Sequence, residues 1–292
     1  MKRALRFYVM SIGIFLFFAI NFQNISTFNQ GDLPNNLASA QASQYNTHAA
    51  SIEESYANAL ETLGLHLYPG TSYKAESVSS TRSLNHCKSL VYQTLVSLPQ
   101  EHREHLQHLT LYFADGRRGL GGGSTIILRC SNVSDKELSS VLVHEMGHIV
   151  DTGLHTGNSW YGKSSFMDGS LPIYNDDLSL RFYRISWTNH KTLKQGARES
   201  NFVTTYAMSD PFEDFAETYN FYILHGDQFR EMAEYDRSLM RKYLFMKYYI
   251  FKGNEYDNDP YTTVRPFSRT YDATTLNYDD TTFIKTKRLA SL

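Results

Sequence analysis

Cysteine is scarce in this chain of 292 residues: Cys87 and Cys130 are the only two. They allow one bridge at most, and neither stands in a metal-ligand pattern. Long blocks of one charge are missing as well. The formal net charge is −2, and without residues 1–40 the chain keeps 25 Lys plus Arg against 29 Asp plus Glu, a net of about −4. Nucleic acid is therefore not expected as a partner. The glycine-rich stretch Arg117 to Gly123 lacks the G-x-x-x-x-G-K-[ST] order, which removes the phosphate-loop reading. The apolar stretch from about Phe7 to Ile20 is short for a full membrane span.

That stretch follows Lys2, Arg3 and Arg6, the layout of a secretory signal, so the chain is expected to be exported. Ala38-Ser39-Ala40 has the letters of a cleavage site but lies some twenty residues late. Residues 1–22 thus read as a signal peptide or an N-terminal anchor, with membrane association through that segment. Residues 23–50 read as a polar spacer, 51–252 as one catalytic domain, and 253–292 as an extended Tyr/Asp/Thr-rich tail. In an oxidising compartment a Cys87–Cys130 bridge is plausible, worth about 4 kcal/mol in the chain-entropy picture; two buried thiols are the alternative.

What is present is His144-Glu145-Met146-Gly147-His148. Composition alone would produce an HExxH about 0.02 times per chain, so chance is a poor explanation. Ser134 and Glu137 form a capping box ahead of Leu138, Val141, Leu142, Met146, Ile149 and Val150, which recur at helical spacing. The predicted helix runs from about Asp135 to Thr152. On it, two histidines four apart leave the same face and can close on one Zn²⁺, while Glu145 can reach a metal-bound water as general base. Asp151, one turn beyond His148, is within reach of a ligand imidazole or is an exposed polar residue.

A catalytic zinc needs a third protein ligand. The extended metzincin pattern fails, because Asp151 and Leu154 stand where Gly and His are required. Downstream, Asp210-Pro211 reads as an N-cap with proline at the first helical position. Glu213 and Glu217 follow on one face of that helix, and the small Ala216 beside them permits close approach to a neighbour. One carboxylate can bind metal while the other orients an imidazole; two surface glutamates are the alternative.

HEMGHxxD, followed by the pattern YAxxxxxEDFAE, resembles the gluzincin branch of the zincins, and is most similar to the anthrax lethal factor and Pro-Pro endopeptidase group over roughly Leu109 to His225. The resemblance implies one Zn²⁺ held by His144, His148 and Glu213. It further implies Glu145 as general base, Tyr206 as oxyanion donor and Glu217 as the partner of a ligand histidine. The expected fold is α+β and zincin-like: a small twisted sheet on the HExxH helix, a second ligand-bearing helix, and a mainly helical C-terminal part.

Around these motifs, Ser51 to Leu63 and Leu84 to Leu98 read as helices, and Leu109 to Ala114 and Thr125 to Arg129 as strands. Thr125 to Leu128 is the candidate edge for strand addition by a substrate, with an interior strand as the alternative. His102, His105 and His108 read as a solvated turn, Asn158 to Val203 as an insert walling the cleft, and Asp227 to Phe251 as one long helix. The expected function is an exported zinc endopeptidase acting on peptides or proteins. A non-catalytic zinc-binding interaction domain and an amidase on cell-wall peptides remain as alternatives.

Overall fold

The computed structural model describes residues 51, 54–69, 84–154, 156–256, 269–280 and 283. The N-terminal segment and spacer lie outside the described residues. Among those described, no helix is long and apolar enough to cross a membrane.

A four-stranded sheet, ordered β1-β2-β4-β3, is built from β1 (His66–Pro69), β2 (His108–Tyr112), β3 (Gly119–Gly122) and β4 (Thr125–Arg129). β1, β2 and β4 run parallel and β3 closes the edge antiparallel to β4. Side chains alternate along β2 and β4, so Leu109, Ile126 and Leu128 turn inward and are fully buried. The glycine-rich stretch Arg117 to Gly123 thus carries strand β3, and the expected substrate edge, β4, is an interior strand. Register decides this: Ile126 and Leu128 pair with Leu109 and Leu111 on one side and with Gly121 and Gly119 on the other.

Helix α1 (Leu84–Ser97) is tied to the end of β4 by a Cys87–Cys130 disulfide with a Cα separation of 6.0 Å. After α2 (Gln100–Arg103) and the sheet comes α3 (Asp135–Gly153), whose Ser134 hydroxyl accepts from the Glu137 N–H as the capping pattern required. Its middle is buried on every side, because the sheet covers one flank and α5 (Pro211–Leu224) the other. A Cβ on Gly147 would lie 2.8 Å from the Ala216 Cα. Only glycine lets the two backbones approach so closely.

Between these helices lie hairpins β5–β6 (Lys163–Asp168, Leu171–Tyr174) and β7–β8 (Trp187–Asn189, Thr192–Leu193), separated by α4 (Ser179–Ser186). Phe166, Phe182, Tyr183, Trp187 and Phe202 from this stretch are fully buried and join the core. Asp168 alone of the hairpins reaches the cleft. The expected helix 227–251 is divided: α6 (Gly226–Tyr235) ends where Asp236 caps α7 (Arg237–Phe245), accepting from the Ser238 and Leu239 N–H groups, and a π-turn follows at Met246–Ile250. Side-chain periodicity carried straight through the break, so the N-cap was the signal overlooked. His102 is no solvated turn either. It is fully buried, with Nδ1 2.9 Å from Tyr219 Oη and Nε2 3.0 Å from the Ile250 carbonyl.

One buried ion pair fixes the back of α5. Lys242 Nζ lies 2.7 Å from Asp214 Oδ1, donates to the Asn201 carbonyl at 3.0 Å and sits 3.8 Å from the centre of the Phe202 ring. Trp187 Nε1 donates to the other Asp214 oxygen at 3.0 Å. Both charges are wholly inaccessible, so removing one partner strands the other without solvent. Lys242→Met is expected to lower stability by about 3–5 kcal/mol in urea unfolding. A loss below about 1 kcal/mol would show that the pair is not buried in solution.

Candidate metal centre

Three elements converge on an open cleft of about 640 Å³. α3 supplies His144, Glu145 and His148; α5 supplies Glu213 and Glu217; a short 3-10 turn, Tyr206–Met208, supplies Tyr206. Glu213 reaches inward because Asp210, with Pro211 at the first helical position, caps α5 by accepting from the Phe212 and Glu213 N–H groups at 2.9 Å each. Its Oε2 then stands 3.2 Å from His144 Nε2 and 3.5 Å from His148 Nε2. Each of the three residues offers one ligand atom, all within 4.8 Å of one another. Two imidazoles and one carboxylate form a donor set that suits Zn²⁺.

The second turn of α5 carries Glu217, fully buried, whose Oε1 lies 2.8 Å from His144 Nδ1. The contact is within ion-pair range. It leaves His144 Nε2 to face Glu213 and the cleft. Glu217 is itself held: its Oε2 accepts from Thr204 Oγ1 at 2.6 Å and from the Ala273 N–H at 2.8 Å. Burial opposes a charge on His144, yet Glu213 and Glu217 outweigh it and raise its pKa well above the usual value. For Glu213 burial pushes upward, but the two histidines prevail and hold its carboxyl far below the ordinary carboxylate range.

Glu145 lies over β3. A Cβ on Gly119 would stand 2.2 Å from Glu145 Oε1, and one on Gly121 would stand 2.9 Å from Oε2. The strand can pass only because it has no side chain at these two positions. Burial raises the Glu145 pKa, while His144, His148 and a hydrogen bond from the Gly121 backbone pull it back. Tyr206 Oη donates to Glu213 Oε1 at 3.0 Å. Burial first, then the Glu213 carboxylate, raises the Tyr206 pKa and keeps the phenol protonated.

Asp151 goes elsewhere. Its carboxylate accepts from Tyr183 Oη at 2.6 Å rather than turning to an imidazole, because α4 covers that side of α3. It is 2% exposed, and burial drives its pKa well upward.

Sequence reasoning missed the contribution of residues 269–280. The expected extended tail carries a 3-10 turn, Ala273–Thr275, capped by Asp272, and Ala273, Thr274 and Tyr278 are buried. Thr270 and Tyr271 carbonyls accept from the Thr205 and Tyr206 N–H groups at 3.0 and 2.7 Å. The Arg118 guanidinium pairs with the Asp272 carboxylate and donates to Thr274 Oγ1 at 2.7 Å. The Asp-x-Thr cap was legible in the sequence, but its partner, 154 residues earlier, was not.

A sequence model of the family described as "Putative zinc-binding metallo-peptidase" matches residues 138–277, a stretch that includes every cleft residue on α3 and α5 and reaches past Thr274. Comparison with curated proteins and with solved structures gives no match.

Burial tends to raise the Asp272 carboxyl, but hydrogen bonds from Thr274 and the Arg118 guanidinium outweigh it and hold the pKa below the usual value. A depressed carboxyl contributes stability above its unfolded pKa, near 4, and loses it as pH falls through the folded value. The stability gap between wild type and Asp272→Asn should therefore be constant above about pH 5 and shrink below about pH 4. Urea midpoints measured across that range check this; a gap that does not narrow in acid would refute the clamp.

Proposed function

We propose that this protein is an exported, zinc-dependent endopeptidase of gluzincin type, with His144, His148 and Glu213 as the metal ligands. The convergence of their three ligand atoms within 4.8 Å, in a cleft that Glu145 and Tyr206 also line, carries the reading. The family match over residues 138–277 supports it. Zinc bound there would supply Lewis acidity at the scissile carbonyl and acidify a water molecule.

The chain's own groups do the rest. Glu145 takes a proton from the attacking water and returns it to the leaving amine, a role open to a cleft carboxylate whose pKa burial raises. The Tyr206 phenol, kept protonated, donates a hydrogen bond to the oxygen that becomes negative. Glu217 holds His144 by its second nitrogen and stays out of the chemistry. An extended substrate adds to the outer edge of β3, the antiparallel edge strand that passes beside Glu145. The Cys87–Cys130 disulfide favours an oxidising compartment and, with the basic and apolar N-terminus, supports export.

The test is cleavage of a mixed peptide library by the purified protein, wild type against Glu145→Gln at equal zinc loading. Cuts that vanish in the variant are expected. No cuts by the zinc-loaded wild type would turn the reading towards a zinc-binding interaction domain or an amidase on cell-wall peptides. Zinc titration supplies a second check: Glu213→Gln should abolish tight binding, and Glu217→Gln should weaken it about 10- to 100-fold. Negligible losses in both would remove Glu213 from the ligand set.

A further inference from the structure

Resting on the metal reading above, we propose that residues 270–274, far from the zinc-binding motifs in sequence, are a positioning part of the metal site: the Ala273 N–H fixes Glu217, and Glu217 fixes His144. The chain of contacts is continuous. Ala273 N–H donates to Glu217 Oε2 at 2.8 Å, and Glu217 Oε1 stands 2.8 Å from His144 Nδ1. Glu217 is wholly buried, so its Oε2 has no water to fall back on and depends on Ala273 and on the Thr204 hydroxyl.

The segment is anchored on both sides of that contact. On one side, Asp272 pairs with Arg118 at the entry to β3, and Arg118 reaches on to Glu137 on α3 at 3.2 Å. On the other, Tyr278 Oη donates to the Lys136 carbonyl at 2.9 Å, and Lys136 Nζ donates back to the Tyr278 carbonyl at 3.1 Å. Before the turn, the Tyr271 carbonyl accepts from the N–H of Tyr206, so the same segment also seats the tyrosine that faces Glu213. These residues bridge β3, α3, α5 and the Tyr206 turn at one point. A main-chain donor is a firm support for Glu217, because it has no rotamer to lose.

A proline at 273 isolates the contact. Ala273 opens the 3-10 turn, a position where proline is accepted, and Asp272 before it has φ −146° and ψ 143°, which suits a residue preceding proline. Ala273→Pro thus removes the N–H and sets a CH₂ against the Glu217 carboxylate, while Ala273→Gly keeps the donor. Zinc affinity of the full chain is measured by competition with a chromophoric chelator. Ala273→Pro is expected to bind zinc about 10- to 100-fold more weakly than wild type, with Ala273→Gly close to wild type. The imidazole proton resonance of His144 in the metal-free protein should move in the proline variant alone. A merely structural role would instead lower the thermal midpoint of both variants and leave that resonance in place.

Equal zinc affinity in the two Ala273 variants overturns the inference. His144→Ala separates its failure from that of the metal reading. If His144→Ala binds zinc as tightly as wild type, the metal reading falls; if it loses zinc while Ala273→Pro keeps it, only the positioning role falls. Should Ala273→Pro not fold, Arg118→Gln loosens the same segment from the solvent side. It is expected to weaken zinc binding several-fold, and unchanged affinity overturns the proposal.

Discussion

The close approach of α3 and α5 at Gly147 and Ala216 governs the geometry of the site. His144 and His148 sit one turn apart on either side of Gly147, and Glu213 and Glu217 flank Ala216 in the same way. A methyl at 147 would meet the Ala216 main chain at 2.8 Å, so any larger residue forces the helices apart. The imidazole-to-carboxylate distances of 3.2 and 3.5 Å depend on that contact. Separation is not the only thing to be set, since α5 must also face the right way. Consecutive residues divide that work: Glu213 turns to the histidines, while Asp214, about 100° round the helix, is locked to Lys242 and Trp187 behind it.

Charge in the cleft is arranged in depth. Glu217 lies at the bottom with no exposure, His144 above it, Glu213 at the rim with 20% side-chain exposure, and the Tyr206 hydroxyl on Glu213. Glu217 and Glu213 each have an imidazole and a hydroxyl against them, so neither is buried alone. The result is a site held in place before any ligand arrives, in which reorganisation costs little.

Much of this was legible in the sequence, for local reasons. The cap at Ser134, the cap at Asp210 with Pro211, and the spacing of the histidines and glutamates are contained within single helices, where 3.6-residue geometry converts spacing directly into faces. Strand order is not local. Thr125 to Arg129 could be recognised as a strand, but that it is interior depends on Gly119–Gly122 pairing outside it, and glycine carries little strand signal. Asp151 failed differently: its spacing from His148 put it one turn along the helix, but α4 offered Tyr183 as its partner. The supports of Glu217, Thr204 and Ala273, come from segments joined to it only by tertiary contact, one of them as a backbone amide that no residue type advertises.

The Arg118–Asp272 pairing also places an order on how the site comes into being. A ribosome releases the HExxH helix and then α5 well before the segment that closes over them. Until that segment arrives, Glu217 lacks one of its two donors and Arg118 lacks its carboxylate. Helices α3 and α5 can form early from their own caps, but completion of the cleft waits on a contact that spans 154 residues. Completion of the cleft is therefore coupled to synthesis as far as Thr274, and fragments ending after α5 would carry His144, His148 and Glu213 without the contact that steadies Glu217.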